Sequence, residues 1–515
     1  MKKLIFLILS ISIVLIPALI YTQIMSDFCS APPYVTRTVP PNVTIILDNS
    51  KAMLNPAYPG EYNPARPDDY TGYFKTGKTY CASGSNFYEA ASCKDSDRGP
   101  YQGSLLNWAA MSRYDILMLV LIGGRGTPTP SNRDKLIGVN TDWQPRTTPA
   151  YKGCEFDVTD KGGLQITSTG SCALPLITNA GGVQIVVAVS DYLTNLSPRG
   201  IIQKLMDKDS DGNWDANAPR IGIMRFQASQ NDIKMDYCTG KAETMSSFIN
   251  GMASAQAIPD KNNPSAPLGL SMLRTIQYYK NTCGTACNPC SDPVDSVQCR
   301  KNFVLTISSG EATDIPSQYS ADFLNEQIRQ AHSSDIRADR DGLQTISYYN
   351  VLIFGDQTGK DHLQGFSKYG GFIDYNANKQ PDLKGEWDRN GDGIPDTYFE
   401  AADAAGVQAA IEKAFQDILS RAASGTAVAA ITTSSRGAAS VLQAYFLPSK
   451  IETGPREVWW TGYLQNIWID PDDNLREDSV NDYRLILDQD KVMKHYFNPN
   501  TNETEAALFT TLCDG

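Results

Sequence analysis

The chain has 515 residues, 57 acidic against 45 basic side chains, and a formal net charge of −12. That balance, with no basic patch along the chain, excludes an electrostatic nucleic-acid binder and leaves metal cations as natural counterions. With 41% hydrophobic residues there is core material for roughly two to four domains.

Lys2 and Lys3 precede an apolar run from Leu4 to Ile20, the charge-then-apolar order of a secretory signal, so residues 1–25 read as an export signal. An uncleaved membrane anchor is the other reading, because the run nearly spans a bilayer and no small-x-small cleavage site follows. Export makes disulfides the default for the eleven cysteines, all beyond the signal. Cys81 with Cys93 and Cys154 with Cys172 are candidate local pairs. Cys283, Cys287, Cys290 and Cys299 could give two more bridges inside one excursion, and an odd count leaves at least one thiol unmatched.

Residues 26–42 are a Pro-rich, extended lead-in. The apolar, β-branched run Val43–Leu47 then stops on Asp48-Asn49-Ser50. This reads as a buried parallel strand whose carboxyl end delivers a carboxylate and a hydroxyl into a crevice. Residues 55–101, rich in Tyr, Gly, Pro and Asn, show neither helical nor strand periodicity and form a first insertion. One helix is predicted from Gly103 to about Ile122, stopped by Gly123-Gly124. A second insertion, 125–182, leads to the apolar stretch Val183–Val189. Further strands are predicted at Ile221–Phe226, Asn302–Ile307 and Ile346–Phe354, and helices at Ala242–Ala255, Ala266–Tyr279, Ala321–Ala331 and Glu400–Leu419, with a third insertion at 282–300. Strand alternating with helix implies an α/β fold over residues 43–423: a doubly wound, mostly parallel sheet with large disulfide-stapled insertions. Residues 424–515 change to Ser/Thr/Ala-rich and Trp-rich segments, the start of a short β-rich region.

Two loops carry metal-ligand spacing. Asp207, Asp209, Asp211 and Asp215 occupy positions 1, 3, 5 and 9 of a loop with Gly212 at position 6 and Asn213 offering the position-7 carbonyl. Asp388, Asn390, Asp392 and Asp396 repeat the pattern around Gly393 and Ile394, with Glu400 one residue beyond the usual place of a closing glutamate. Alternate oxygens turning inward about a glycine bend are what calcium selects, with a structural role and extracellular-type affinity; a solvated Asx turn is the bland reading. Other patterns are set aside. Cys283-x3-Cys287-x2-Cys290 has the spacing of a radical iron–sulfur ligand set, but disulfides win in an exported chain. His332, His362 and His495 are scattered, and His332 reads as a surface or satisfied residue. No nucleophile elbow, phosphate loop or dinucleotide fingerprint occurs, so no enzyme activity is expected. Trp459, Trp460 and Trp468 could form a sugar platform but read as core.

The strand Val43–Leu47 with Asp48-Asn49-Ser50 resembles the first strand of a von Willebrand factor A (vWA) domain, whose D-x-S-x-S turn holds a divalent cation. The resemblance places the remaining ligand positions at Ala52, at Ala266 where the family has Thr, and at Ser309 where it has Asp. With three of those five side chains lost, Asp48, Ser50 and Ser309 are expected to be a degraded cation site. Four stretches further resemble the PilC/PilY family of type IV pilus assembly and tip-adhesin proteins: Pro41–Ser50, Leu106–Asp115, Cys299–Leu305 and Trp460–Leu464. That resemblance implies a vWA-like domain followed by a β-propeller that this sequence does not include. It implies an exported, pilus-associated or outer-membrane-associated surface protein, passing through the periplasm. Such a protein supports pilus biogenesis and adhesion, with minor pilins and a surface or host ligand as partners and calcium as cofactor. The alternative is a free-standing secreted vWA-type binding module unrelated to pili.

Overall fold

A computed structural model describes residues 40–509, apart from 85, 127–134, 140, 142, 160, 189–198, 209–211, 216–217, 228–231, 241–244, 253–257, 260–265, 295–299, 311, 316, 341–342, 377, 423–424, 434–438, 453–455, 471–474, 481–484 and 499–502. The predicted export signal, most of the lead-in, Asp209, Asp211 and Cys299 therefore lie outside the described residues.

The central sheet has six strands: β1 (Asn42–Leu47), β2 (Arg220–Gln227), β3 (Asp232–Tyr237), β4 (Asn302–Ser308), β5 (Ile346–Ile353) and β6 (Tyr398–Ala401). Their order is β3-β2-β1-β4-β5-β6, all parallel except for β3 at one edge. Every residue of β1 and β4 is buried, as a strand covered on both faces must be. The edge strand β3 instead alternates, with Ile233 and Met235 buried and Lys234 and Asp236 partly exposed. Successive residues of β1 feed different cores. Val43, Ile45 and Leu47 pack with α1 (Gly103–Ala110), α2 (Arg113–Ile122), α3 (Ile201–Met206), α4 (Met245–Met252) and the later helix 404–422. Ile46 joins the opposite core with α5 (Leu268–Tyr279), α6 (Ala321–Ser333) and α7 (Gln357–Gly370). The short α8 (Lys384–Trp387) and the long α9 (Ala404–Ala422) complete the α-helices among the described residues.

Four expectations about the elements are corrected, and one about the cysteines below. The predicted helix 103–122 is two helices, because Ser112 is extended and caps α2. Its hydroxyl accepts from the Asp115 amide at 3.0 Å while Asp115 accepts from the Ser112 amide at 3.1 Å, a reciprocal box that starts a helix afresh. Insertion 55–101 contains strands 79–83, 86–89 and 98–102, joined to 186–188 and 135–137 in a five-stranded sheet. The stretch 183–189 therefore does not enter the central sheet: 183–184 pairs with 163–168 and 186–188 with 135–137. A short apolar run fits either kind of sheet, and β1 already has β2 and β4 on its two sides. Finally, Glu400 belongs to β6 and α9 begins at Ala404.

Cys81–Cys93 and Cys154–Cys172 are bonded and staple the two insertion sheets. The third insertion departs from expectation: Cys283 pairs with Cys287, but Cys290 reaches out to Cys238, beyond the end of β3. Residues 425–509 form a separate six-stranded sheet, led by the antiparallel pair 439–452 and 456–469. Among the described residues no helix is long and apolar enough to cross a membrane.

Candidate functional site

The strand order reverses between β1 and β4, so the loops leaving these neighbouring strands diverge at the carboxyl edge of the sheet. Asp48, the first residue past β1, is fully buried there. Its Oδ1 accepts from the Ser50 amide at 2.8 Å. Its Oδ2 accepts from the Ser308 hydroxyl at 2.9 Å and from the amide and hydroxyl of Ser309, both at 3.0 Å. Asn49 Oδ1 takes the Phe226 amide at 2.9 Å and ties the same turn to β2. The structure thus brings Asp48, Ser50 and Ser309 together, with Asp48 ringed by donors and the buried Ser50 hydroxyl, which takes no hydrogen bond, beside it. A hard dication needs lone pairs from about six or more oxygens, whereas both serine hydroxyls on Asp48 direct their hydrogens inward. Ala52 and Ala266 are buried and add no side-chain oxygen. One carboxylate and the Ser50 hydroxyl are a poor set for a hard dication.

The two aspartate loops are built alike. Each follows a short helix, α3 or α8, whose first turn is capped by a side chain: Gln203 accepts from the Gly200 amide at 2.7 Å and Glu386 from the Leu383 amide at 3.1 Å. Position 1 is a buried carboxylate in both, Asp207 and Asp388. The position-6 glycines have φ of +85° and +88°, a region that favours glycine, and their amides donate back to position 1 at 3.3 and 2.7 Å. The position-9 amide closes the loop on the helix, Asp215 on Met206 O at 2.6 Å and Asp396 on Trp387 O at 2.8 Å. A cation sits on each position-1 carboxylate, Arg199 at 3.2 Å and Lys384 at 3.0 Å. Burial pushes the Asp388 carboxyl up, but Lys384 and the amides of Gly393 and Gly391 outweigh it and hold the group below its usual range.

In the second loop Asn390, Asp392 and Ile394 are exposed and Asp396 takes Arg389 Nε at 2.6 Å. Asn213 of the first loop is exposed as well. Glu400 is not drawn in: it lies on β6 with its carboxylate 2.7 Å from Lys360. Among the described residues no three His, Cys, Asp or Glu side chains converge as a ready metal cage. The loop oxygens, all carboxylate, amide or carbonyl, are nevertheless of calcium type. Asp388, Asn390, Asp392, Asp396 and the Ile394 carbonyl would hold the ion, with Lys384 displaced from Asp388.

A third loop escapes the sequence reading. Asp374, Asn376, Asn378 and Asp382 have the same 1, 3, 5, 9 spacing, immediately before α8. The position-6 amide again donates to position 1, Lys379 to Asp374 at 2.7 Å, and position 7 to position 5, Gln380 to Asn378 at 2.8 Å. The bend is made by Lys379 at φ +62° instead of glycine, so the signal available was the alternation alone. Asp382 accepts from the side-chain amides of Asn376 and Asn378 at 3.0 and 2.9 Å, which closes this loop on itself. His332 is half-buried, with its ring nitrogens 3.1 and 2.8 Å from the carbonyls of Ile346 and Phe372, a packing role.

Residues 61–142 match the family model of the PilY1 homolog small alpha/beta domain. The matched segment holds the strands 79–83, 86–89 and 98–102 together with α1 and α2. Among solved structures, the pilus adhesin SpaC from Lactobacillus rhamnosus GG is similar at 11% identity and a TM-score of 0.26, over 74% of this chain and 49% of that one. The open conformation of that adhesin gives 10% identity and a TM-score of 0.26, over 86% of this chain and 55% of that one. The chain spans about half the length of these structures, 49% and 55%, and a likeness this weak carries no argument. No curated protein matches the chain.

Proposed function

We propose that the chain is an exported, non-enzymatic protein of the type IV pilus system that supports pilus biogenesis and surface adhesion at the cell surface. The observation that carries this reading is the match of residues 61–142 to the PilY1 homolog small alpha/beta domain, which includes the pilus-family stretch Leu106–Asp115. We read the central sheet as a vWA-like, doubly wound domain. The order β3-β2-β1-β4-β5-β6 with one antiparallel edge, and helices on both faces, support that. Calcium at the 207–215 and 388–396 loops stabilises the domain, a reading supported by their shared closure and all-oxygen donors. Minor pilins and a surface ligand are the partners.

The test is to delete the gene in its own host, count surface pili and attached cells, and restore the full chain. Loss of both, with recovery on restoration and co-purification of the chain with minor pilins, is expected. Unchanged piliation and attachment would sink the reading.

A further inference from the structure

At the amino edge of the central sheet the chain enters β1 through two prolines. Pro40 O accepts from the Arg300 guanidinium and Pro41 O from the Arg220 amide at 2.8 Å, so the entry is fixed between β4 and β2. Arg220 opens β2, which lies beside β1 at one strand spacing, about 4.8 Å. Ala218 and Pro219, which lead into β2, and its own Ile221 form one wall of a half-open pocket whose other walls include Trp214, Tyr237 and Phe248. The rings support one another: Trp214 stands edge-on to Phe248 at 5.4 Å and Tyr237 tilts against Phe248 at 4.6 Å. Gly251 leaves room for the Tyr237 ring, since a Cβ there would fall 1.3 Å from its hydroxyl. The Trp214 indole N–H is buried and has no acceptor among the described residues.

The segment that ends at this entry has the matching chemistry. It contains Ala31-Pro32-Pro33-Tyr34-Val35, and from Phe28 to Thr36 it carries no charged side chain. Prolines fix φ and bias the residue before them to an extended backbone, so such a stretch favours polyproline II, a form without internal hydrogen bonds. Aromatic-lined surfaces recognise Pro-rich segments in that form. Each proline also brings a carbonyl acceptor with no N–H that needs a partner in return, which suits a wall whose spare group is a donor. Pro33 stands eight residues before Pro41. At the polyproline rise of 3.1 Å per residue that is about 25 Å of reach, ample for a pocket that begins at the strand beside the entry. A short tether gives an effective concentration of about 1 mM, so a segment whose free dissociation constant is about 1 mM is docked about half of the time.

We propose that the lead-in of this same chain, through Pro32-Pro33-Tyr34, docks on the Trp214, Tyr237 and Phe248 wall and straps the amino edge of the sheet. Docking depends neither on the pilus reading nor on calcium.

The test uses the full chain with the photo-reactive residue p-benzoylphenylalanine in place of Val35. It is irradiated and digested, and the cross-linked peptides are identified by mass spectrometry. Cross-links should fall in peptides that carry Trp214, Tyr237 or Phe248. With Pro32→Ser, Pro33→Ser and Tyr34→Ser added, their yield should fall about fivefold, as a half-docked segment does when docking weakens about tenfold. Hydrogen exchange in the same peptides should rise in that triple variant. An equal mixture of nitrogen-15-labelled and unlabelled chains identifies the source of the strap: both halves of each cross-linked pair should carry the same label. Cross-links that fall elsewhere overturn the proposal. So do pairs that join a labelled to an unlabelled chain, which assign the pocket to a second copy's lead-in, and a yield that survives the three substitutions undiminished.

Discussion

Replacing Asp48 tests whether the carboxyl edge is held by hydrogen bonds in place of a cation. In Asp48→Ala the hydroxyls of Ser308 and Ser309 can rotate to other acceptors, but the amides of Ser50 and Ser309, which donate to Asp48 at 2.8 and 3.0 Å, cannot. A buried donor left without a partner costs about 1–3 kcal/mol, so the variant should lose about 4 kcal/mol. Asp48→Asn is gentler. Its carbonyl oxygen placed at Oδ2 keeps the three donors there, while its NH2 confronts the Ser50 amide, a loss of about 1–3 kcal/mol. Urea unfolding followed by tryptophan emission should rank wild type above Asp48→Asn above Asp48→Ala. Hydrogen exchange should rise in peptides covering Asp48–Ser50 and Ser308–Gly310. Magnesium or manganese should leave the gaps between the three proteins unchanged. A wild-type midpoint that climbs with magnesium, and stops climbing in Asp48→Asn, would refute the reasoning, because the carboxylate would then be presenting lone pairs to an ion.

Further outcomes follow from the loops, the bridges and the buried charges. Calcium at about a hundred times its dissociation constant should stabilise the chain by about 2.7 kcal/mol per site, and Asp209→Ala and Asp392→Ala should each remove part of the rise in unfolding midpoint; no rise in wild type makes the loops plain turns. Lys384→Ala should tighten calcium binding in calorimetry, since the ammonium 3.0 Å from Asp388 competes for the same oxygen; weaker binding would contradict that geometry. Removing the Cys238–Cys290 bridge by a double serine substitution opens a loop of sequence separation 52 and should cost about 4 kcal/mol in urea unfolding; a midpoint within error of wild type would show that the bridge constrains nothing. Asp292 is raised by burial but more strongly lowered by Arg337, the Val294 amide and Arg340. With its folded pKa below the unfolded value of about 3.9, it stabilises above that pH and loses the contribution as pH falls through the folded value. Asp292→Asn should therefore flatten the acid limb of the stability profile below about pH 4, and an unaltered limb would count against the pairing.

The strands that read clearly from sequence are those with no alternative. β1 and β4 are continuous apolar runs because both faces are covered, and their carboxyl ends announce themselves by switching to Asp and Ser. Elements with divided loyalties are hidden. β3 mixes Asp232, Lys234 and Asp236 with two apolar residues, and α7 carries Gly359, Gly365 and Gly370 with only Leu363 and Phe366 buried as large apolar anchors. The break at Ser112 is invisible to periodicity because the apolar spacing runs through it, and only the Ser112–Asp115 pair marks it. Local bridges follow from spacing, whereas Cys238–Cys290 depends on where the third insertion folds back. At the sites, the aspartate spacing of two loops is legible and a third is masked by a lysine at the bend.

The termini of the α/β unit meet. The Asn42 amide donates to Lys301 O at 2.9 Å, and the Lys301 ammonium donates to Arg421 O at 3.0 Å, so the chain enters β1 and leaves α9 within reach of one lysine. Between them runs β1, paired over all six residues with β2 on one side and β4 on the other. Entry and exit thus share one lysine at the amino edge of the sheet, and the first strand cannot leave without breaking its bonds to both neighbours.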